Sequence, residues 1–148
     1  MLKRIVILTL STLLALGLVS ALTACNNNTD EANPIQTFIN ENTDELNNVS
    51  AEHLATLGEG ATVAFEAAEG EFIYKYTFPP GPTAEQLKEY ADNFLDYGDN
   101  VEMYEGHATD LAELIGIEAL TVTVRYFDGA GTLISERSYQ SNPIAAAE

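Results

Sequence analysis

The chain has 148 residues and a formal net charge of −17 at pH 7, because 23 acidic residues stand against 6 basic ones. Nucleic-acid binding depends on basic side chains that neutralise phosphates, so we expect no nucleic-acid partner. The single cysteine has no partner for an intrachain disulfide. The length suits one domain with its own hydrophobic core.

The N-terminal segment has the three parts of a secretory signal peptide. Lys3 and Arg4 precede an apolar run over residues 5–19, and small residues then lead to Cys25. The ending Leu22-Thr23-Ala24-Cys25 resembles the lipobox of bacterial lipoproteins. That resemblance implies that Cys25 is lipidated and becomes the first residue of the mature protein.

Two alternatives compete with this interpretation. A signal-anchor helix needs roughly 20 apolar residues, whereas the run over residues 5–19 is shorter and contains Ser11 and Thr12. Ordinary cleavage after Ala24 would place Leu22 where a small residue is preferred. We therefore predict a lipoprotein signal peptide over residues 1–24.

The lipid would determine where the protein resides. A single acyl chain holds a protein only marginally, so stable anchoring takes two, and the lipoprotein resemblance implies a diacylglyceryl group on Cys25. Residues 25–33 are predicted to be a flexible tether, because residues 26–33 hold no apolar side chain larger than alanine. The predicted location is the outer face of a bacterial cytoplasmic membrane, with the membrane as partner through the lipid.

The first predicted element of the folded part is helical. Asn33 followed by Pro34 is typical of a helix N-cap and first helical residue. A break is expected at Asn47-Asn48, with Ser50 capping a second, shorter segment that ends at Gly58.

Two strands and a proline stop come next. Alternation of apolar and polar residues over residues 61–67 and 71–78 predicts a hairpin with its loop at residues 68–70. The run Pro79-Pro80-Gly81-Pro82 ends the second strand, because proline cannot donate to the ladder.

A long helix is predicted between this hairpin and the next. Thr83 with Gln86 three residues on forms a capping box at its start, and Gly116 ends it. Phe94 falls on its apolar stripe and is expected in the core. A continuous helix over this region would be much longer than the strands it packs against. A kink or break is therefore expected at residues 97–100.

A second hairpin follows. Residues 120–127 alternate as a strand, residues 128–131 form a turn, and residues 132–139 return. The register of the last strand is uncertain by one residue, because Leu133 with Tyr139 competes with Ile134 for the inner face.

These elements predict an α+β domain over residues 34–140, followed by a C-terminal tail at residues 141–148. Its expected architecture is a four-stranded, mainly antiparallel sheet of two hairpins, with the kinked helix and the N-terminal helical segment packed on one face.

Two stretches, residues 72–77 and residues 120–132, resemble the matching hairpins of a family of small bacterial lipoproteins known only as a domain of unknown function. The resemblance runs from about Ile35 to Tyr139. It implies the fold described above and no activity, cofactor or site residues. The chain departs from the family in carrying Gly98 and Gly106 within the long helix.

Few residues suggest chemistry. His107 with Asp110 could hold a metal ion, but a surface histidine on an acidic helix is favoured, since no HExxH spacing is present. A group of oxygen-bearing residues at the helix break does not fit a calcium loop, and a solvated acidic turn is favoured; the group is Asp96, Asp99, Asn100 and Glu102. No G-x-S-x-G nucleophile motif occurs, so we predict a protein that is not an enzyme and has no cofactor.

The nearest approach to a functional site is the predicted outward face of the sheet. By alternation this face holds six residues of the second and third strands: Ile73, Lys75, Thr77, Thr121, Thr123 and Arg125. Arg137 joins them only if the last strand turns Leu133 outward. The favoured structural alternative is that Lys75 and Arg125 pair with Glu66 or Glu136 across strands.

The function expected from the sequence is therefore a non-catalytic, lipid-anchored domain that binds an envelope protein, a peptide or another envelope component. The alternative is an accessory lipoprotein that binds a cation or a small ligand. The pattern does not specify the ligand or the oligomeric state.

Overall fold

The computed structural model describes residues 33–142. The predicted signal peptide, Cys25 and the predicted tether before Asn33 lie outside the described residues, as do residues 143–148 of the predicted tail. The described residues all belong to one compact unit. No helix between residues 33 and 142 is long and apolar enough to cross a membrane.

The described part of the chain contains three helices and four strands. In chain order they are α1 (Pro34–Leu57), β1 (Thr62–Ala68), β2 (Glu71–Thr77), α2 (Ala84–Asp96), α3 (Gly98–Ile115), β3 (Thr121–Phe127) and β4 (Leu133–Gln140). They form an α+β domain with one sheet in the order β1-β2-β3-β4.

The sheet is mixed, so the prediction of a mainly antiparallel sheet was wrong. The pairs β1–β2 and β3–β4 are antiparallel hairpins. The central pair, β2–β3, is parallel. The reason is the connection between them, because α2 and α3 carry the chain back to the end of the sheet at which β2 began. Such a return requires a crossover of a dozen or more residues, and helices supply it.

The core lies between the helices and one face of the sheet. The residues of β2 and β3 that face the helices are almost fully buried; they are Phe72, Tyr74, Tyr76, Val122, Val124 and Tyr126. The helices contribute Ile35, Ile39, Leu46 and Leu57 from α1, Leu87, Ala91 and Leu95 from α2, and Tyr104, Ala108, Leu111 and Ala112 from α3. The period of two in the strands and of three to four in the helices produces this arrangement.

The first helix begins as predicted and bends elsewhere. The Asn33 side chain accepts a hydrogen bond from the Ile35 N–H at 2.9 Å. The helix continues through Asn47 and Asn48, and its distortion lies at Asn42, with φ −120° and ψ 18°. Ser50 is buried in the middle of the helix rather than capping a new segment. Asn42 breaks the regular ladder because its side chain donates to the Phe38 carbonyl at 2.8 Å.

The region predicted as one long helix with a kink or break at residues 97–100 is two helices, separated at Tyr97. The capping box at Thr83 and Gln86 is present as predicted. Tyr97 is extended (φ −71°, ψ 126°) and separates α2 from α3. The buried stripe of α2 runs through Leu87, Ala91 and Leu95, which are four residues apart. Phe94, predicted for the core, is only partly buried.

A local irregularity settles the register of β4. Val122 pairs with Tyr139 and Tyr126 with Ser135, but Phe127 pairs with Leu133, so that Ile134 is skipped. This extra residue in β4 lets Leu133 turn outward while Tyr139 stays on the helix side. Tyr139 and Ser135 lie on the helix side and are buried, whereas Leu133 is 49% exposed.

Candidate binding face of the sheet

All six residues predicted for the outward face lie on the side of the sheet opposite the helices. They come from the two central strands, and the parallel register makes direct neighbours of Ile73 and Thr123, and of Lys75 and Arg125. Thr121 pairs with Glu71 at one end of the strands, and Thr77 pairs with Phe127 at the other. We call this surface the open face.

Both basic residues of the open face are engaged in ion pairs with the outer strands. Lys75 Nζ lies 2.7 Å from Glu66 Oε1 on β1. Arg125 Nε lies 2.5 Å from Glu136 Oε2 on β4, and this hydrogen bond raises the pKa of the guanidinium. These are the cross-strand pairs that the structural alternative predicts. Any partner attracted to the cations therefore meets carboxylates beside them.

The centre of the open face is a small polar cluster. Thr123 is 0% exposed and Ile73 beside it is 4% exposed, although neither belongs to the core under the helices. The Thr123 hydroxyl donates to the Glu71 carboxylate. Because a hydroxyl has one proton, the contact of 2.8 Å between Thr123 Oγ1 and Ser138 Oγ requires Ser138 to donate. The cluster joins β2, β3 and β4 through their side chains.

The six residues predicted for this surface did not include Phe127, Glu71 or Ser138. Phe127 lies under Lys75, whose Nζ is 5.4 Å from the ring centroid, a cation–π geometry. Alternation along β3 places Phe127 with Arg125, so its face could have been found from the pattern. The contribution of Ser138 depended on the register of β4, which the pattern left undecided.

Arg137 does not join the open face. It pairs with Val124 and points to the helix side. Its Nε and Nη2 each lie 2.8 Å from one of the two Asp96 carboxylate oxygens. The hydrogen bond with Arg137 lowers the pKa of Asp96, and the same bond raises the pKa of Arg137. This residue therefore ties β4 to α2.

Two residues of the acidic turn, Asp96 and Asn100, and also His107, make contacts within the fold. Asp96 binds Arg137, and Asn100 Nδ2 donates to the Phe94 carbonyl at 2.8 Å. His107 is half-buried rather than on the surface, and its ring packs edge-on against Tyr104 at 6.0 Å. Burial lowers the pKa of His107. Between residues 33 and 142 no three or more histidine, cysteine and acidic side chains are grouped to hold a metal ion.

A half-buried histidine on the helix side was not identified from the sequence. His53 Nε2 lies 2.5 Å from the Tyr126 hydroxyl, and its ring centroid lies 4.6 Å from that of Phe94 and 4.7 Å from that of Tyr76. Desolvation lowers the pKa of His53 to about 4. Its spacing of three residues from the buried Ser50 is the signal that could have placed it inside.

The fold and this surface define a class: an α+β domain with helices on one face of a mixed sheet and a polar open face on the other. The chain belongs to the family described as Domain of unknown function (DUF4854), whose profile matches residues 35–139. The expected membership in a family of unknown function is therefore confirmed. No curated protein and no solved structure matches the chain.

Proposed function

We propose that the protein is a lipid-anchored domain on the outer face of a bacterial cytoplasmic membrane, and that its open face binds an extended polar segment of an envelope protein or peptide without catalysing a reaction. The observation that carries the proposal is the open face itself. On the side of the sheet away from the helices, part of the surface of five side chains around the buried pair Ile73 and Thr123 stays exposed; they are Lys75, Thr77, Thr121, Arg125 and Phe127.

The sequence supports the anchored location. The basic pair Lys3 and Arg4, the apolar run at residues 5–19 and the ending Leu22-Thr23-Ala24-Cys25 follow the order of a lipoprotein signal. Lipidation also explains why an exported protein would carry a single cysteine with no disulfide partner.

The contacts of the open face support a protein or peptide partner. Lys75 and Arg125 each keep side-chain exposure, 31% and 29% respectively. Each has a carboxylate within reach, so the surface alternates in sign and suits a polar chain with both donors and acceptors. A purely anionic ligand would meet Glu66, Glu71 and Glu136 on the same face.

Replacement of the lipid site tests the anchor. In cells grown with a labelled fatty acid, the wild type should carry the label and sediment with membranes. Cys25→Ser should carry no label and should either leave the membrane fraction or retain its signal peptide. An unlabelled wild type with the same membrane retention as Cys25→Ser would contradict the anchor.

Charge reversal tests the open face, and the ion pairs supply a matched control. The variant Lys75→Glu/Arg125→Glu removes both cations and should abolish cross-linking of the domain to its envelope partner in intact cells. The control adds Glu66→Lys and Glu136→Arg, which restores both ion pairs with inverted polarity.

If the face binds a partner through its charges, both the reversed and the control variant should fail to capture that partner, while the control regains stability. A partner that is captured equally by all variants would contradict the assignment. Capture regained in the control would show that the charges act only through the fold.

A further inference from the structure

The two edge strands of the sheet, β1 and β4, differ in how well they are protected against pairing with a strand from another chain. β4 carries Glu136 and Arg137 and the irregularity opposite Tyr126 and Phe127, all of which oppose pairing with another strand. β1 runs in unbroken register with β2 and contains no proline and no basic residue. Its one charged residue, Glu66, is already paired with Lys75 at 2.7 Å. None of its seven residues is fully buried.

The hydrogen bonds of β2 identify the backbone groups of β1 that point outward. The Gly70 carbonyl accepts from the Thr121 N–H, and the Phe78 N–H donates to the Phe127 carbonyl, both at 2.9 Å. Backbone groups alternate in direction along a strand, so the even-numbered residues of β2 bond to β3 and the odd-numbered residues bond to β1.

The partners of those odd-numbered residues on β1 are Thr62, Ala64, Glu66 and Ala68. The intervening residues, Val63, Phe65 and Ala67, therefore turn their N–H and C=O groups away from the sheet. Within residues 33–142 no other chain segment is hydrogen-bonded to the backbone of these three residues.

We propose that β1 is a pairing site for β1 of a second copy of this chain, with the two strands antiparallel and a two-fold axis at Phe65. In that register Val63 faces Ala67 of the second copy and Phe65 faces its own equivalent. These outward residues then form up to about six backbone hydrogen bonds. The result is one continuous eight-stranded sheet with an isologous interface.

The side chains are compatible with this register. Glu66 faces Ala64 of the second copy, so the carboxylate of one chain meets a methyl group rather than the other carboxylate. The two Phe65 rings meet at the axis, and each is held in place by its own Phe72 and Tyr74 at centroid distances of 6.1 and 5.6 Å. The edge is complementary to itself without any rearrangement of charges.

The overall charge modulates the association. Each chain carries −17, so two copies repel each other at low ionic strength. The Debye length falls from about 10 Å at 0.1 M salt to about 3 Å at 1 M. Pairing through β1 should therefore increase with salt, whereas binding of a basic peptide to the same edge would decrease. The proposal does not depend on lipid anchoring or on a partner of the open face.

Cysteine cross-linking in the full chain tests the register. Residues that face each other without mutual hydrogen bonds are about 4.5 Å apart at Cα, which a disulfide can bridge, whereas residues displaced by two positions are about 7–8 Å apart. The variant Ala64→Cys/Glu66→Cys places cysteines opposite each other. The control Ala64→Cys/Ala68→Cys has the same number of cysteines in the wrong register.

Under mild oxidation, the first variant should form a band at twice the mass of its monomer, and neither the control nor the wild type, which both retain Cys25, should. Adding Ala67→Pro, which removes one outward N–H, should prevent the band. Adding Gln140→Pro at the β4 edge should not. If Ala64→Cys/Glu66→Cys is degraded, Thr62→Cys/Ala68→Cys tests the same register.

Three results would overturn the proposal. They are the absence of a dimer band from a folded, protease-resistant variant, equal cross-linking of the matched and mismatched pairs, and cross-linking to a different polypeptide. The last result would assign the edge to a foreign strand.

Discussion

The two faces of the sheet are made by the same central strands, β2 and β3, yet they hold the protein together in different ways. The helix-covered face is an aromatic layer in which Tyr76 stacks on Tyr126 at 5.4 Å and Phe78 stacks on Tyr126 at 5.5 Å. The open face relies on ion pairs and hydroxyl hydrogen bonds. Burial of apolar area contributes most of the folding free energy, whereas each exposed ion pair contributes little. The open face can therefore change its chemistry at small cost to the fold.

Matched phenylalanine truncations should give the largest difference between the faces. Phe72 on β2 is 0% exposed on the helix side, so Phe72→Ala should lower the free energy of unfolding by about 3–5 kcal/mol. Phe127 on β3 lies partly exposed on the open face, and Phe127→Ala should cost clearly less. Urea unfolding of both variants measures the difference. Equal losses would mean that the open face is also a packed core.

The helix-covered face should also make stability depend on pH through His53. Its pKa is about 4 in the folded protein against 6.5 in an unfolded chain, so the unfolded state binds the proton more readily between those values. The contribution of uncharged His53 to the free energy of unfolding is fully present above pH 6.5 and is lost as the pH falls towards 4. The loss should reach about 3 kcal/mol at about 1.4 kcal/mol per pH unit.

The variant His53→Gln keeps a hydrogen-bonding group near Tyr126 but does not titrate. With His107→Gln present in both proteins, the protein that retains His53 should lose stability between pH 6.5 and 4 more steeply than the variant. Parallel curves of unfolding free energy against pH would show that His53 is solvated in the folded state.

The faces of the strands could be predicted because alternation is a local property. Lys75 and Arg125 fall on one side and Tyr74 and Val124 on the other simply by position. The helix boundaries at Asn33 and Thr83 were readable for the same reason, since each cap is formed by residues within three positions of it.

The remaining features depend on contacts that are distant in the chain. The parallel pairing of β2 with β3 follows from the path of α2 and α3, and the pattern of either hairpin alone does not contain it. Phe94 packs against the ring of His53 on α1, and the hydrogen bond of His53 with Tyr126 spans 73 positions. Such contacts require the assembled fold.

Replacement of the buried threonine should show how much the polar cluster of the open face contributes. Thr123→Val keeps the shape but removes the hydrogen bonds with Glu71 and Ser138. We expect a loss of about 1 kcal/mol in the free energy of unfolding. Thr121→Val, two positions along the same face, should change it by less than about 0.5 kcal/mol. No difference between the two variants would mean that water replaces the cluster without cost.

The smallest effect is expected for the ion pair of Lys75 with Glu66, and it bears directly on whether the open face is available to a partner. The two side chains are 31% and 49% exposed, so water screens their attraction. A double-mutant cycle with Lys75→Met and Glu66→Gln, measured by urea unfolding, should give a coupling of about 0.2–1 kcal/mol. The coupling should fall further at 1 M salt, because the Debye length is then about 3 Å. A coupling this weak means that the pair opens readily and that Lys75 can exchange Glu66 for a carboxylate of a bound segment. A coupling above about 2 kcal/mol, unchanged by salt, would instead make the pair a fixed part of the sheet and would remove Lys75 from the proposed binding surface.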